Sequence, residues 1–215
     1  MDRKSTRGRF ITLEGGEGVG KSSQIHALAD WLAARGITSV LTREPGGSKG
    51  AEVIRELLVT GEPGRWDAVT EALLMNAARR DHVVRTVRPA LEAGLWVLCD
   101  RFHDSTIVYQ GYAGGVPIDT LRALIDAAVD DTRPDLTVIL DLDVDTGLHR
   151  AGGRADGESR FERKGAAFHT AVAEGFRAIA AAEPERCVLI DAGGSVEEVT
   201  AKITEVVRAR LKVTP

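Results

Sequence analysis

Five short apolar runs, at 9–14, 39–42, 95–100, 136–141 and 187–191, recur along the chain without the polar alternation of a half-exposed strand. Unbroken apolar runs suit strands covered on both faces. Between them, apolar positions fall at steps of three and four. Ile25, Leu28, Ala29 and Leu32 follow the first run, and Val69, Leu73, Ala77, Val84, Val87 and Leu91 mark a long stretch at 67–93. Val196, Val199, Ile203, Val206 and Leu211 mark the last segment. This spacing predicts helices whose apolar stripes face a core. Pro117 opens a further helix, and 168–183 forms another. Strands alternating with helices imply right-handed crossovers, hence an α/β fold: a five-stranded parallel sheet with helices on both faces and ligands at the carboxyl ends of the strands. No linker or shift of composition interrupts the pattern, so residues 1–215 are expected to form one domain.

A chain of 215 residues buries a full core. Its net charge of −4 leaves no global positive field to draw nucleic acid or an anionic membrane, so basic chemistry has to be local. No apolar run reaches membrane-spanning length, and the polar residues 1–9 precede no hydrophobic leader, which predicts a cytoplasmic protein. Cys99 and Cys187 sit in apolar runs and read as buried small side chains rather than a disulfide.

Chemistry enters after the first strand. Residues 15–22 read Gly-Gly-Glu-Gly-Val-Gly-Lys-Ser, the G-x-x-x-x-G-K-[ST] phosphate loop in its required strand–loop–helix setting. Chance matches at this composition number roughly 0.007 per chain, before the flanking elements are counted. Glycines bring backbone N–H groups against phosphate oxygens, and the following helix adds its unpaired N–H groups and dipole. Lys21 then reaches the β and γ phosphates, with the Ser22 hydroxyl on Mg²⁺. Asp100, ending the third apolar run, is placed like the aspartate that holds that metal ion, and Arg101 beside it is a candidate for a second anion. Arg43, Glu44, Pro45, Gly46 and Gly47 follow the second run on the same rim. Arg79, mid-helix, reads by itself as part of a solvated face, the usual place of a helical arginine, and becomes a site candidate only in the company of the others. Ser105, Thr106, Tyr109 and Gln110 share one side of a helical turn and suit a base and sugar. Residues 149–163 carry Arg150, Arg154, Arg160 and Arg163 among three glycines, the composition of a lid that folds over polyphosphate.

Together, the loop at 14–22, the Thr42–Gly47 segment, Asp100-Arg101 with Ser105, Thr106, Tyr109, Gln110 and Gly111, and Arg133-Pro134-Asp135-Leu136 resemble the bacterial thymidylate kinases along nearly the whole chain. The resemblance implies a P-loop nucleoside monophosphate kinase fold with a lid. It also implies a homodimer and Mg²⁺-dependent transfer of the ATP γ-phosphoryl group to dTMP. By position it assigns ATP to Gly15, Gly16, Glu17, Gly18, Val19, Gly20, Lys21, Ser22, Ser23 and Arg150, and the metal ion to Ser22 and Asp100. It assigns dTMP to Glu17, Pro45, Met75, Arg79, Arg101, Ser105, Thr106, Tyr109 and Gln110. Since Glu17-Gly18 carries no arginine, the chain resembles the type whose catalytic arginine lies in the lid, which points to Arg154 and Arg150 ahead of Arg160. Lys21, Arg101 and Glu17 complete the implied catalytic set. Met75 stands where the family has a phenylalanine against thymine, which implies looser stacking.

The implied acceptor is already anionic, so no general base is expected and none of the five histidines is required. Two other readings compete. A deoxynucleoside kinase would use Glu44 as a base on a sugar hydroxyl. A nucleotide-driven switch would hydrolyse NTP alone, but Asn76-Ala77, the one asparagine, rules out an Asn-Lys-x-Asp guanine signature.

Overall fold

The computed structural model describes residues 7–151 and 160–214. All five expected strands form: β1 (Phe10–Gly15), β2 (Ser39–Arg43), β3 (Trp96–Asp100), β4 (Leu136–Asp141) and β5 (Cys187–Asp191). They pair in parallel in the order β2-β3-β1-β4-β5. The register aligns Leu13 and Arg43 with Asp100, so β2 and β3 end level, β1 runs two residues further, and all three deliver their next residues to one rim.

Nine α-helices join the strands among the described residues: α1 (Lys21–Ala33), α2 (Lys49–Val59), α3 (Ala68–His82), α4 (Arg88–Glu92), α5 (His103–Thr106), α6 (Ile118–Val129), α7 (Val144–Ala151), α8 (Ala166–Ala182) and α9 (Val196–Leu211). π-helical turns at Val83–Val87 and Ile107–Tyr112 extend α3 and α5. Alternation along β1 sorts the two layers. Ile11 and Leu13 meet Leu28 and Leu32 of α1 and Val199, Ile203 and Val207 of α9. Phe10 faces Val83, Val87 and Leu91, with Phe102 edge-on at 4.9 Å. Beyond β1, Ile139 packs on Val172 and Phe176 of α8. No described helix is long and apolar enough to cross a membrane.

Helix ends follow local chemistry. Asp67 caps α3 by accepting from Val69 and Thr70 N–H at 2.9 Å, and Ser195 with Glu198 forms a capping box on α9. Both cysteines are buried and unpaired, as expected.

Two expectations change, and one helix is new. The 67–93 stretch is not one core-facing helix. Val87 and Leu91 are buried, but Val69, Leu73, Ala77 and Val84 lie outside, with Val69 49% and Leu73 51% exposed. The inward side of α3 is instead polar, carrying Glu71, Asn76, Arg79 and His82, because those residues serve a site rather than a core. On α9, Val196 is exposed in the first turn and Val207 takes the buried position. Helix α2 was absent from the apolar pattern because its Val53 and Leu57 face outward.

Since α9 seats α1 against the sheet through Ile203, which is fully buried, Ile203→Ala is expected to cost about 2–5 kcal/mol of stability in urea unfolding.

Candidate active site

After β1 the chain turns through Gly15, Gly18 and Gly20 at φ of 134°, 68° and 95°, a region L side chains rarely adopt. Helix α1 then begins at Lys21 and aims its first-turn N–H groups at the loop. Gly18 also meets α7: a Cβ there would sit 1.9 Å from the Gly147 carbonyl oxygen, and one on Gly147 would sit 2.6 Å from that of Glu17. Helix and loop therefore touch backbone to backbone. The buried Lys21 ammonium reaches back to the Gly16 and Gly15 carbonyls at 2.8 and 3.2 Å. Burial, reinforced by Arg101, brings its pKa down to about 8 against the opposing pull of Asp100, Glu17 and Glu14.

The Ser22 hydroxyl donates to Asp100 Oδ2 at 3.2 Å. Next to Asp100, Arg101 takes φ 66°, a left-handed conformation held by surrounding bonds. Its guanidinium donates to Gly15 O at 2.8 Å, Ser105 Oγ at 3.2 Å and Glu17 Oε1 at 3.0 Å. The Tyr109 hydroxyl donates to the same Glu17 oxygen at 2.8 Å. Burial alone would raise Glu17, but Arg101, Lys21 and Tyr109 outweigh it and hold the carboxyl down to about 2. One step back, the carboxyl of Glu14 receives Phe102 N–H at 2.7 Å and the Ser105 hydroxyl at 2.6 Å, which fixes the turn carrying Arg101. Burial and the neighbouring Asp104 push Glu14 up to about 7, against Ser105 and Arg101.

Arg79 is buried and nearly saturated. Glu44 takes its Nε–H at 2.8 Å, Asn76 one hydrogen of Nη1 at 2.8 Å, and Phe102 O and Thr106 Oγ1 both hydrogens of Nη2. One N–H remains for a ligand. Glu44 gives its other oxygen to His82 Nδ1 at 2.9 Å, so both oxygens are engaged, although the residue still lines the cavity.

These groups line one cavity of about 270 Å³. It gathers the expected Glu17, Gly18, Val19, Gly20, Lys21, Ser22, Pro45, Met75, Arg79, Asp100, Arg101, Ser105, Thr106, Tyr109 and Gln110. Gly15 and Gly16 lie beneath it as carbonyl acceptors. Ser23 is exposed in the first turn of α1 and Arg150 at the end of α7; neither lines the cavity. Arg154 lies outside the described residues.

Arg160, expected third among the lid arginines, is fully buried: it pairs with Glu71 and donates to Leu58 O at 2.9 Å. A guanidinium committed to a buried carboxylate and a helix carbonyl is a brace in this arrangement. The cavity also includes Arg55, Val59, Phe102, Phe161 and Glu162, which the sequence did not single out. Arg55 holds Pro45 O at 2.6 Å, and the one available signal was its position soon after the Pro45-Gly46-Gly47 turn.

Ser22 and Asp100 are hard oxygen donors within contact of each other and suit Mg²⁺. Among the described residues no cluster of three His, Cys, Asp or Glu forms a protein cage, which fits an ion that draws its other ligands from phosphate and water.

The sequence model of the thymidylate kinase family matches residues 13–203. A thymidylate kinase from Caulobacter vibrioides is 55% identical over 206 residues, spanning 96% of this chain and 99% of that one. One from Rhodopseudomonas palustris is 54% identical, spanning 97% and 92%. The crystal structure of thymidylate kinase from Ehrlichia chaffeensis superposes with a TM-score of 0.73 at 34% identity, covering 94% of this chain and 99% of that one. With the family model matching most of its length and relatives more than half identical across nearly all of it, the chain belongs to the thymidylate kinase family.

Proposed function

We propose that this protein transfers the γ-phosphoryl group of ATP to dTMP, giving ADP and dTDP on the way to dTTP. The observation that carries the reading is a single cavity that joins the phosphate loop, Asp100 and Arg101 to Arg79, Thr106, Tyr109, Gln110 and Met75. Donor phosphates lie along the loop, and the acceptor lies between Arg101 and the Gln110 side. Mg²⁺ held by Ser22 and Asp100 would add positive charge at the donor phosphates. Lys21 and Arg101 offset the repulsion between two polyanions while the walls hold donor and acceptor in line. Arg150 and Arg154 are assigned to the same neutralisation from the lid. An acceptor phosphate oxygen needs no base, and the nearest carboxylates are already bound: Glu17 to Arg101 and Tyr109, Glu44 to Arg79 and His82.

A homodimer is part of the proposal. Val53, Leu57, Val69, Leu73 and Val84 expose apolar surface on the packed pair α2 and α3 and on the π turn after it, which suits a second copy of the chain.

In a screen of nucleoside and nucleoside monophosphate acceptors with ATP and Mg²⁺, dTMP is expected to yield dTDP and ADP one to one. Preference for thymidine, or ATP hydrolysis indifferent to acceptor, would refute the assignment. Lys21→Ala should lower kcat by about 10²-fold or more, and near-normal turnover would remove Lys21 from the mechanism.

The pH profile gives a separate check. In the free enzyme the ammonium of Lys21 titrates near 8, and only its charged form neutralises phosphate. The value of kcat/KM for ATP is therefore expected to fall above pH 8 by roughly tenfold per unit. For kcat, bound phosphates favour the charged lysine and move the break to higher pH. A flat kcat/KM through this range would contradict the role.

Leu73→Glu should convert the dimer to monomer in sedimentation analysis. A wild-type protein that already sediments as a monomer would dismiss the α2–α3 surface as an interface.

A further inference from the structure

Glu71 occupies the first turn of α3, where the helix dipole favours a carboxylate, and it is 2% exposed. It stands behind Gln110 and is not among the residues lining the cavity. Oε1 is paired with Arg160, with the Lys164 ammonium 3.8 Å away. Oε2 accepts from Gln110 Nε2 at 3.1 Å. Nothing in the proposed reaction uses this carboxylate, yet a charge is buried here and matched by a fully buried arginine.

The chemistry of the contact is one-sided. A carboxylate that faces a guanidinium and an ammonium is an acceptor only. Gln110 must therefore turn its NH₂ toward Glu71, and its amide oxygen becomes the polar atom left for the cavity that Gln110 lines. The residue is 1% exposed, so burial and the bond to Glu71 leave the amide plane little freedom.

We infer that Glu71, backed by Arg160, is a positioning residue for base choice, fixing the Gln110 amide so that it presents an acceptor to the base edge. Thymine and uracil carry N–H at ring position 3 and meet that oxygen as donors. Cytosine carries a lone pair there and meets it as a second acceptor, with no hydrogen bond and with electrostatic repulsion. The inference rests on the dTMP reading and adds what enforces it. Arg160 enters as the counter-charge that keeps Glu71 acceptor-only.

The test compares kcat/KM for dTMP and dCMP in the wild type and in Glu71→Gln. A neutral amide at 71 can donate or accept, so Gln110 is free to rotate. The dTMP-to-dCMP ratio is expected to fall at least about tenfold, with KM for ATP within about twofold of wild type because the phosphate loop is untouched. Should Glu71→Gln fail to fold around an uncompensated Arg160, the double variant Glu71→Gln, Arg160→Gln removes both charges and carries the same expected fall in ratio. Reduced rates with a wild-type ratio would overturn the inference and leave Glu71 a structural residue, with the dTMP assignment intact. A wild-type enzyme that favours dCMP would overturn both.

Discussion

An unpaired buried guanidinium is prohibitively costly. At this cavity Arg101 is paired with Glu17 and Arg79 with Glu44, and behind it the bracing Arg160 is paired with Glu71. The pairs link the phosphate loop to the segment after β3, the end of β2 to α3, and α3 to the chain entering α8. Much of the site's tertiary organisation rests on these carboxylates. They also keep the cavity from being a plain positive hole, because each guanidinium enters with its charge partly answered and its direction set by the remaining N–H groups.

This arrangement constrains the chemistry. A carboxylate held between Arg101 and Tyr109 with its pKa near 2 is a poor base, and Glu44 already accepts from Arg79 and His82. The site is therefore suited to a reaction that needs placement and charge more than proton transfer. Glu14 is the contrasting case. Pushed up to about 7 in the layer below, it organises the turn of Arg101 through Phe102 and Ser105 and does not reach the cavity. Two glutamates three residues apart thus shift in opposite directions, because burial and Asp104 prevail at Glu14 while Arg101, Lys21 and Tyr109 prevail at Glu17.

All five strands were legible because each is an unbroken apolar run, and the phosphate loop was legible because its spacing is dictated by backbone geometry. Asp100 and Arg101 could be located from the end of β3 alone. Other features were hidden for physical reasons. On α3 the apolar Val69 and Leu73 look outward while Glu71 and Arg79 look in, the reverse of what apolar periodicity implies. Arg160 reads as one more lid arginine in sequence, because its partner lies 89 residues away. Arg55 and Glu162 reach the cavity only through the packing of α2 and the chain before α8. What the linear pattern could not supply was pairing across the chain, and that is what separates a brace from a ligand.

Where Gly18 meets Gly147, the missing side chains set a distance. The helix that precedes residues 152–159 in the chain, and so Arg154, is gauged directly from the backbone of the phosphate-loop motif. Even one methyl group at either position would act as a shim, altering that gauge before any charged residue had been changed.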